Sequence, residues 1–139
     1  MKNKYYIDTC IWRDYFENRK DKFRPLGEWA FKLFKKIILN NEKVIYSEVV
    51  VEELLNYFNK EKIKEIFSIV KREGLLEKAN ITKDQIKEAK KLQFQRKTPF
   101  RDTLHSILAR DNKSILVTRD KHFNELQNIV KIKKPEELI

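Results

Sequence analysis

Apolar positions follow two different spacings along the chain, and the two spacings alternate. Short runs rich in β-branched and aromatic residues are typical of strands, whereas apolar residues recurring every three or four positions form one face of a helix. Five such runs predict strands at residues 4–7, 43–46, 75–79, 114–117 and 128–132. The segments between these runs carry the helical spacing or turn residues.

The clearest helical pattern follows Pro25, which stands where a helix can begin. Its apolar face consists of Leu26, Trp29, Ala30, Leu33, Phe34, Ile37 and Ile38. A further helix is predicted at about residues 10–17, a second begins after Ser47, and a third ends at about residue 73. A fourth begins after Thr82, a fifth begins at about residue 102, and a short helix is predicted around residues 122–126. Ser47 is a plausible helix cap, and Thr82 with Gln85 resembles a capping box. Strands separated by one or two helices predict a parallel sheet covered on both faces.

Length and charge narrow the class of protein. The chain has 139 residues, which favours a single domain spanning 1–139. Its net charge of +10 favours a polyanionic partner, either a nucleic acid or an anionic membrane surface. No apolar run approaches the roughly 18 residues of a membrane span. The lone Cys10 cannot form an internal disulfide, and Asp8 interrupts the region where a signal peptide would be apolar, so we expect a cytoplasmic protein without a membrane partner.

Three aspartates stand where the predicted sheet would bind a ligand. Asp8 follows the first strand, and Asp120 follows the strand at 114–117. Asp102 begins a helix that leads into that strand, and such helices run antiparallel to their strands. Ligands of parallel sheets bind at the carboxyl ends of the strands. We therefore expect these three carboxylates on one rim, joined by a carboxylate from the helix after the second strand.

Clustered carboxylates repel one another unless a cation neutralises them. Oxygen ligands suit Mg²⁺ or Mn²⁺, and the chain lacks the cysteine and histidine clusters that zinc prefers. An acid-bound metal in a basic protein is the combination expected for phosphodiester hydrolysis. The alternative is that Asp8 and Asp102 are helix caps and that Asp120 is a turn residue.

Four segments, YYIDTCIW, YSEVVVEELL, RDTLHSILARDN and SILVTRDKHF, resemble in order the four motifs of PIN-domain nucleases. The resemblance extends from Lys4 to about Ile132 and is greatest to the small single-domain members, which include VapC-like toxin ribonucleases. It implies a three-layer α/β/α sandwich with a parallel five-stranded sheet of order 3-2-1-4-5. In that arrangement the strand order, and not the strand direction, reverses between strands one and four, where Asp8 and Asp120 are expected.

The resemblance also implies roles for individual residues. Asp8, Asp102 and Asp120 match the first, third and fourth acids of the family, which are catalytic and bind metal. Thr9 and Thr118 would be supporting residues that orient carboxylates. The second acid is open among Glu48, Glu52 and Glu53. The family usually has this glutamate directly before a leucine, which favours Glu53.

The function implied is that of a Mg²⁺- or Mn²⁺-dependent endoribonuclease that cleaves single-stranded or structured RNA, as the toxin of a toxin–antitoxin pair. A small antitoxin and a homodimer would then be its protein partners. The alternatives are an RNA-processing PIN nuclease outside a toxin system and a non-catalytic nucleic-acid-binding module. A receiver-type phosphoacceptor domain is disfavoured because Asp8 stands alone, and an Asp-x-Asp phosphatase because position 10 is cysteine.

Cations are concentrated between residues 83 and 101, where seven basic residues face two acidic ones. This stretch predicts either a path for phosphates or an ordinary solvated helix face. The candidate RNA-binding residues are Arg101, Arg119, Lys97, Lys90 and Lys91. His105 is expected to be packed or hydrogen-bonded and not a metal ligand, and Trp12 with Phe16 would suit an exposed interface patch.

Overall fold

The structure is a computed structural model that describes residues 2–139. Its centre is one sheet of five strands: β1 (Lys4–Ile7), β2 (Lys43–Tyr46), β3 (Leu76–Lys78), β4 (Ile115–Val117) and β5 (Ile132–Lys133). Every neighbouring pair is parallel, and the strands lie in the order β3-β2-β1-β4-β5. The predicted sheet and strand order are therefore confirmed.

Six α-helices flank the sheet: α1 (Thr9–Glu17), α2 (Leu26–Leu39), α3 (Glu48–Leu54), α4 (Lys60–Lys71), α5 (Lys83–Arg96) and α6 (Phe100–Asp111). A 3-10 helix at Lys121–Leu126 follows β4, and another at Pro135–Glu137 follows β5. Thr82 and Gln85 form the predicted capping box of α5. Within residues 2–139, no helix has both the length and the apolar character needed to cross a bilayer.

Burial explains why the first strand and helix pack at the centre. Tyr5, Tyr6 and Ile7 of β1 are buried between the two layers of helices, as expected for a middle strand of a parallel sheet. Trp12 of α1 is completely buried, and its indole Nε1 donates to the carbonyl oxygen of Ile7 at 3.1 Å. The suggestion that Trp12 forms an exposed patch is therefore wrong. A tryptophan at this position buries a large apolar surface and still finds a partner for its N–H group.

Two local predictions were also wrong, each for a physical reason. The last strand begins at Ile132 and not at residue 128, because the backbone N–H of Ile129 donates to Leu126 and continues the turn after the 3-10 helix. Ser47 precedes α3, but its side chain makes no capping hydrogen bond. Its hydroxyl lies instead 2.7 Å from the hydroxyl of Tyr6, a buried polar group that needs a partner.

Candidate active site

Four carboxylates from distant parts of the chain line one cavity of about 240 Å³ at the carboxyl edge of the sheet. They belong to Asp8, Glu53, Asp102 and Asp120. Asp8 follows β1, Glu53 lies on α3, Asp102 lies in the first turn of α6 and Asp120 precedes the 3-10 helix. Parallel β1 and β4 are neighbours, so the residues that follow them meet at the same edge.

Asp8 is held in place by three hydrogen bonds and its carboxylate lines the cavity; the longest of the three comes from the thiol of Cys10 to Oδ2, at 3.4 Å. Its Oδ1 accepts from the backbone N–H of Thr9 at 2.8 Å, and its Oδ2 accepts from the hydroxyl of Thr118 at 2.7 Å. The same hydroxyl oxygen accepts from the backbone N–H of Asp120 at 3.1 Å. Thr118 therefore connects the two aspartates and fixes their relative position.

Glu53 is oriented by two donors that share one of its oxygens. The hydroxyl of Thr9 and the Nε2 atom of His105 each donate to Oε1 at 2.7 Å. The other two glutamates of α3 point elsewhere, since Glu52 pairs with Arg101 at 3.4 Å and Glu48 pairs with Lys78. Of the three glutamates considered as the second acid, Glu53 is the one that lines the cavity.

His105 is completely buried and is hydrogen-bonded on both ring nitrogens. Its Nδ1 lies 2.7 Å from the Tyr6 hydroxyl, which in turn lies 2.7 Å from the Ser47 hydroxyl. An ionised carboxylate only accepts hydrogen bonds, so Nε2 carries the hydrogen that bonds Glu53. Nε2 therefore has no lone pair to offer a metal, and His105 is a hydrogen-bonded residue as predicted.

Asp102 and Asp120 form the more open side of the cavity. Asp120 Oδ1 accepts from the backbone N–H of His122 at 2.9 Å and so caps the 3-10 helix. The imidazole Nδ1 of His122 lies 3.0 Å from Asp120 and 3.7 Å from Asp102, and this imidazole is exposed. The capping alternative thus holds for Asp8, whose side chain caps α1 while lining the cavity. Asp120, for which a turn role was the alternative, also caps a helix while lining the cavity. Asp102 makes no side-chain cap of α6.

Burial and neighbouring charges shift the pKa values of four groups at the cavity. Burial, together with the charges of Asp120 and Asp8, raises the pKa of Asp102 to about 6. Burial also raises the pKa of Asp8, although His105 and Thr118 oppose it. Burial acts on Glu53 in the same sense, but the hydrogen bond and charge of His105 outweigh it and lower the pKa of Glu53. The pKa of His105 is raised because contacts with Glu53 and Asp8 outweigh its burial.

This donor set fits a hard divalent cation. Ligand atoms of Asp8 and Glu53 lie within 4.8 Å of one another, as do those of Asp102 and Asp120. Carboxylate oxygens are the ligands that Mg²⁺ prefers, and a cation among them would neutralise the charge that raises the pKa of Asp102. The cavity therefore combines the ligands and the electrostatic reason to bind such an ion.

Comparison with known proteins identifies the family. A family model of the PIN domain matches residues 5–129 of the chain. The chain belongs to the PIN domain family. PIN domains are generally metal-dependent nucleases. The resemblance noted in the four sequence segments is thereby confirmed.

Solved structures agree with this assignment. VapBC2 from Rickettsia felis, bound to a DNA fragment from its promoter, has a TM-score of 0.67 at 16% identity, over 94% of this chain and 98% of that chain. FitAcB from Neisseria gonorrhoeae has a TM-score of 0.62 at 16% identity, over 96% and 99%. PAE2754 from Pyrobaculum aerophilum has a TM-score of 0.57 at 16% identity, over 99% and 95%. At this identity the likeness concerns the fold. No curated protein sequence matches the chain.

The five predicted RNA-binding cations of this PIN domain lie outside the acidic cavity. Arg119 forms a two-pronged pair with Glu136, at 2.9 and 2.8 Å, and lines a second cavity of about 530 Å³, which shares Cys10 and Asp120 with the acidic cavity. Arg101 pairs with Glu52 near the rim, at 3.4 Å. The side chains of Lys90, Lys91 and Lys97 are exposed. The structure therefore does not bring these cations among the carboxylates.

The sequence reasoning missed three residues that line the acidic cavity of the PIN domain: Arg13, Asn56 and Tyr57. The guanidinium of Arg13 stacks over the ring of Tyr57, 3.6 Å from its centroid. Arg13 lies one helical turn after Thr9, so helical spacing alone would have placed it beside the acids. No comparable signal marks Asn56 and Tyr57, because they follow the end of α3.

Proposed function

We propose that this PIN domain is a divalent-metal-dependent endoribonuclease. Its catalytic and metal-binding residues would be Asp8, Glu53, Asp102 and Asp120, and its cofactor Mg²⁺ or Mn²⁺. The observation that carries this proposal is the convergence of these four carboxylates, from four segments of the chain, on one cavity. Residues 1–139 form a single nuclease domain in this proposal.

In this proposal the side chains of the protein bind and orient the metal ion and the substrate. The four carboxylates would hold a divalent cation, which when bound would supply a water nucleophile and stabilise charge on a phosphoryl oxygen. Thr118 and Thr9 hold Asp8 and Glu53 in position through hydrogen bonds of 2.7 Å each. Such outer contacts fix the direction of a ligand's free lone pairs. Arg13, which also lines the cavity, is placed to bind a phosphate oxygen of the substrate.

RNA is the proposed substrate because the chain as a whole is strongly basic and its four motif segments resemble those of toxin ribonucleases. A net charge of +10 attracts a polyanion, while the local carboxylates require a cation before a phosphate can approach. The proposed RNA is single-stranded or structured. The proposed place of action is the cytoplasm.

A toxin role is proposed from the structural neighbours. VapBC2 and FitAcB belong to VapBC and FitAB toxin–antitoxin systems, and their PIN domains share this fold. The partners would then be a small antitoxin and a second copy of the chain. An RNA-processing nuclease outside a toxin system is the second candidate. Co-expression with the neighbouring open reading frame distinguishes them, because only a toxin's growth arrest is relieved by its antitoxin.

Cleavage of RNA by matched variants tests the assignment. Asp8→Asn and Asp120→Asn should abolish Mg²⁺- or Mn²⁺-dependent cleavage, whereas Asp84→Asn, an exposed acid on α5, should cleave as the wild type does. Asparagine keeps the shape of aspartate and removes the charge that binds metal. Cleavage by both site variants at the wild-type rate would make the active-site assignment wrong. RNA binding without cleavage by the wild type would favour a non-catalytic binding module.

A further inference from the structure

Helix α5 packs on the rest of the domain through Ala89, Leu92 and several polar contacts on the same face. Glu88 forms a two-pronged pair with Arg110 at 2.7 Å for both bonds, and Gln85 donates to Asp111 at 2.9 Å. Arg96 donates to the carbonyl oxygen of Glu125 at 3.0 Å. Only Ala89 of this helix is buried. These contacts hold α5 against α6 and the 3-10 helix that follows β4.

The opposite face of α5 combines cations with an aromatic ring. Phe94 is 87% exposed. At about 100° per residue, four lysines lie within about 60° of Phe94 around the helix axis. They are Lys83, Lys87, Lys90 and Lys91, and we call this set with Phe94 the α5 basic face. All four side chains are exposed, and among residues 2–139 none of them forms an ion pair.

The end of α5 that carries Phe94 is joined by a short connection to the helix that carries Asp102. Phe94 lies in the last turn of α5, and only residues 97–99 separate that helix from α6, which carries Asp102 in its first turn. The side chains of Thr98 and Thr103 lie 2.7 Å apart and fix this connection. Arg96 contacts Glu125 of the 3-10 helix that begins directly after Asp120. The α5 basic face therefore leads to the rim of the proposed active site.

The chemistry of this face favours a nucleic acid strand over a second copy of the chain. A symmetric contact between two such faces would bring eight lysines together, and like charges at an interface oppose association. A single-stranded nucleic acid offers both partners that the face requires. Its phosphates neutralise the lysines, and its unpaired bases stack on an aromatic ring.

We propose that the α5 basic face binds the single-stranded part of the RNA next to the cleavage site, with one unpaired base stacked on Phe94. This inference rests on the proposed function and specifies its substrate. The lysines bind successive phosphates along α5. Duplex RNA is excluded from the stacking contact because its bases are already paired and stacked within the helix.

Binding measured without cleavage tests the stacking contact. The fluorescence anisotropy of a labelled single-stranded oligoadenylate is titrated with protein in EDTA, so that no metal-dependent reaction occurs. Phe94→Leu should weaken binding by about tenfold, since loss of one stacked base costs about 5- to 150-fold. Phe94→Trp should bind at least as tightly as the wild type. Phe23→Leu is the matched control, because Phe23 is 84% exposed at a site remote from α5 in sequence.

The salt dependence of binding tests the lysines. For single strands the slope of log affinity against log salt is about −0.7 per phosphate contact. Lys87→Gln with Lys90→Gln should therefore make the slope less negative by about 1.4. Lys60→Gln with Lys64→Gln, which removes the same charge from α4, should change it less.

The outcomes separate this inference from the proposed function. Equal affinity of wild type and Phe94→Leu, in a protein that still cleaves RNA, overturns the inference and leaves the proposed function intact. Loss of affinity in Phe94→Leu, in a protein that binds RNA but does not cleave it, supports the stacking contact but overturns the proposed function, and with it the position of that contact beside a cleavage site. No binding of oligoadenylate by the wild type overturns the inference. Dissociation of a dimer by Phe94→Leu, with unchanged RNA affinity, would assign the face to a second copy and also overturn it.

Discussion

The Nε2 atom of His105 lies 2.7 Å from Oε1 of Glu53, and this contact determines which oxygen of the glutamate remains available to a ligand. Thr9 donates to the same oxygen, so Oε2 carries the free lone pairs that face the cavity. His105 is itself held by the Tyr6 hydroxyl at 2.7 Å. A line of buried polar groups thus extends from the core of the sheet to a proposed metal ligand.

Loss of this contact should weaken metal binding. Removing a partner that orients a metal ligand typically lowers metal affinity or activity by about 10- to 100-fold. We expect His105→Ala to bind Mn²⁺ with an affinity lowered to this extent, measured by calorimetry, and His105→Gln to recover part of the loss because its amide can donate to Glu53. Ser68→Ala, a substitution on α4, is the control. Wild-type affinity in a folded His105→Ala protein would contradict a positioning role.

Metal binding itself can be measured through stability, without any knowledge of the RNA. A cation that binds only the folded protein raises the free energy of unfolding by about 2.7 kcal/mol at one hundred times its dissociation constant. We expect thermal unfolding of the wild type to shift upwards with Mn²⁺ or Mg²⁺ and the shift to disappear in EDTA. Asp8→Asn should lose the shift, whereas Asp84→Asn should keep it. An equal shift in both variants would place the ion elsewhere.

The raised pKa of Asp102 predicts that, as the pH rises, the free energy of unfolding falls in EDTA while the stabilisation by metal increases. The folded protein keeps a proton on Asp102 up to a pH of about 6, whereas the unfolded chain releases it near 3.8. In EDTA, this residue therefore makes the free energy of unfolding fall as the pH rises from about 4 to 6, by an amount on the order of 1 kcal/mol after solvent screening. Metal stabilisation should rise over the same range, because binding requires the ionised carboxylate.

Denaturant unfolding at several pH values checks this prediction. Asp102→Asn has no proton to release at this position, so its stability in EDTA should fall less steeply between pH 4 and 6 than that of the wild type. Asp8 and His105, whose pKa values are also raised, are present in both proteins, and the charge of Asp102 is one cause of the raised pKa of His105. Parallel pH profiles of the two proteins would show that Asp102 ionises normally.

Sequence alone located the aspartates because each stands directly beside a recognisable strand or helix. Glu53 could be separated from Glu52 only through the family resemblance, since its contacts to Thr9 and His105 join segments 44 and 52 residues apart. The RNA-binding role of Arg119 stays a prediction. Sequence spacing could not have shown that its guanidinium pairs with Glu136, 17 residues further along the chain.

Arg13 should act on the substrate and not on the metal. Its guanidinium lines the acidic cavity and is held over the ring of Tyr57, 3.6 Å from the ring centroid. A preorganised guanidinium binds a phosphate oxygen more strongly than a flexible side chain does. We expect Arg13→Gln to lower kcat/KM for RNA cleavage by about tenfold or more, the typical cost of losing a charged hydrogen bond. Its Mn²⁺ affinity should not fall.

Variants of Tyr57 separate the charge of Arg13 from its position. Tyr57→Phe keeps the aromatic face and should retain wild-type cleavage, whereas Tyr57→Leu removes the ring that the guanidinium stacks on and should lower kcat/KM in the same direction as Arg13→Gln. Arg13→Lys keeps the charge but loses the planar fork, so its activity should fall between those of the wild type and Arg13→Gln. A loss of Mn²⁺ affinity in Arg13→Gln as large as its loss of activity would show that the residue acts through the metal site instead.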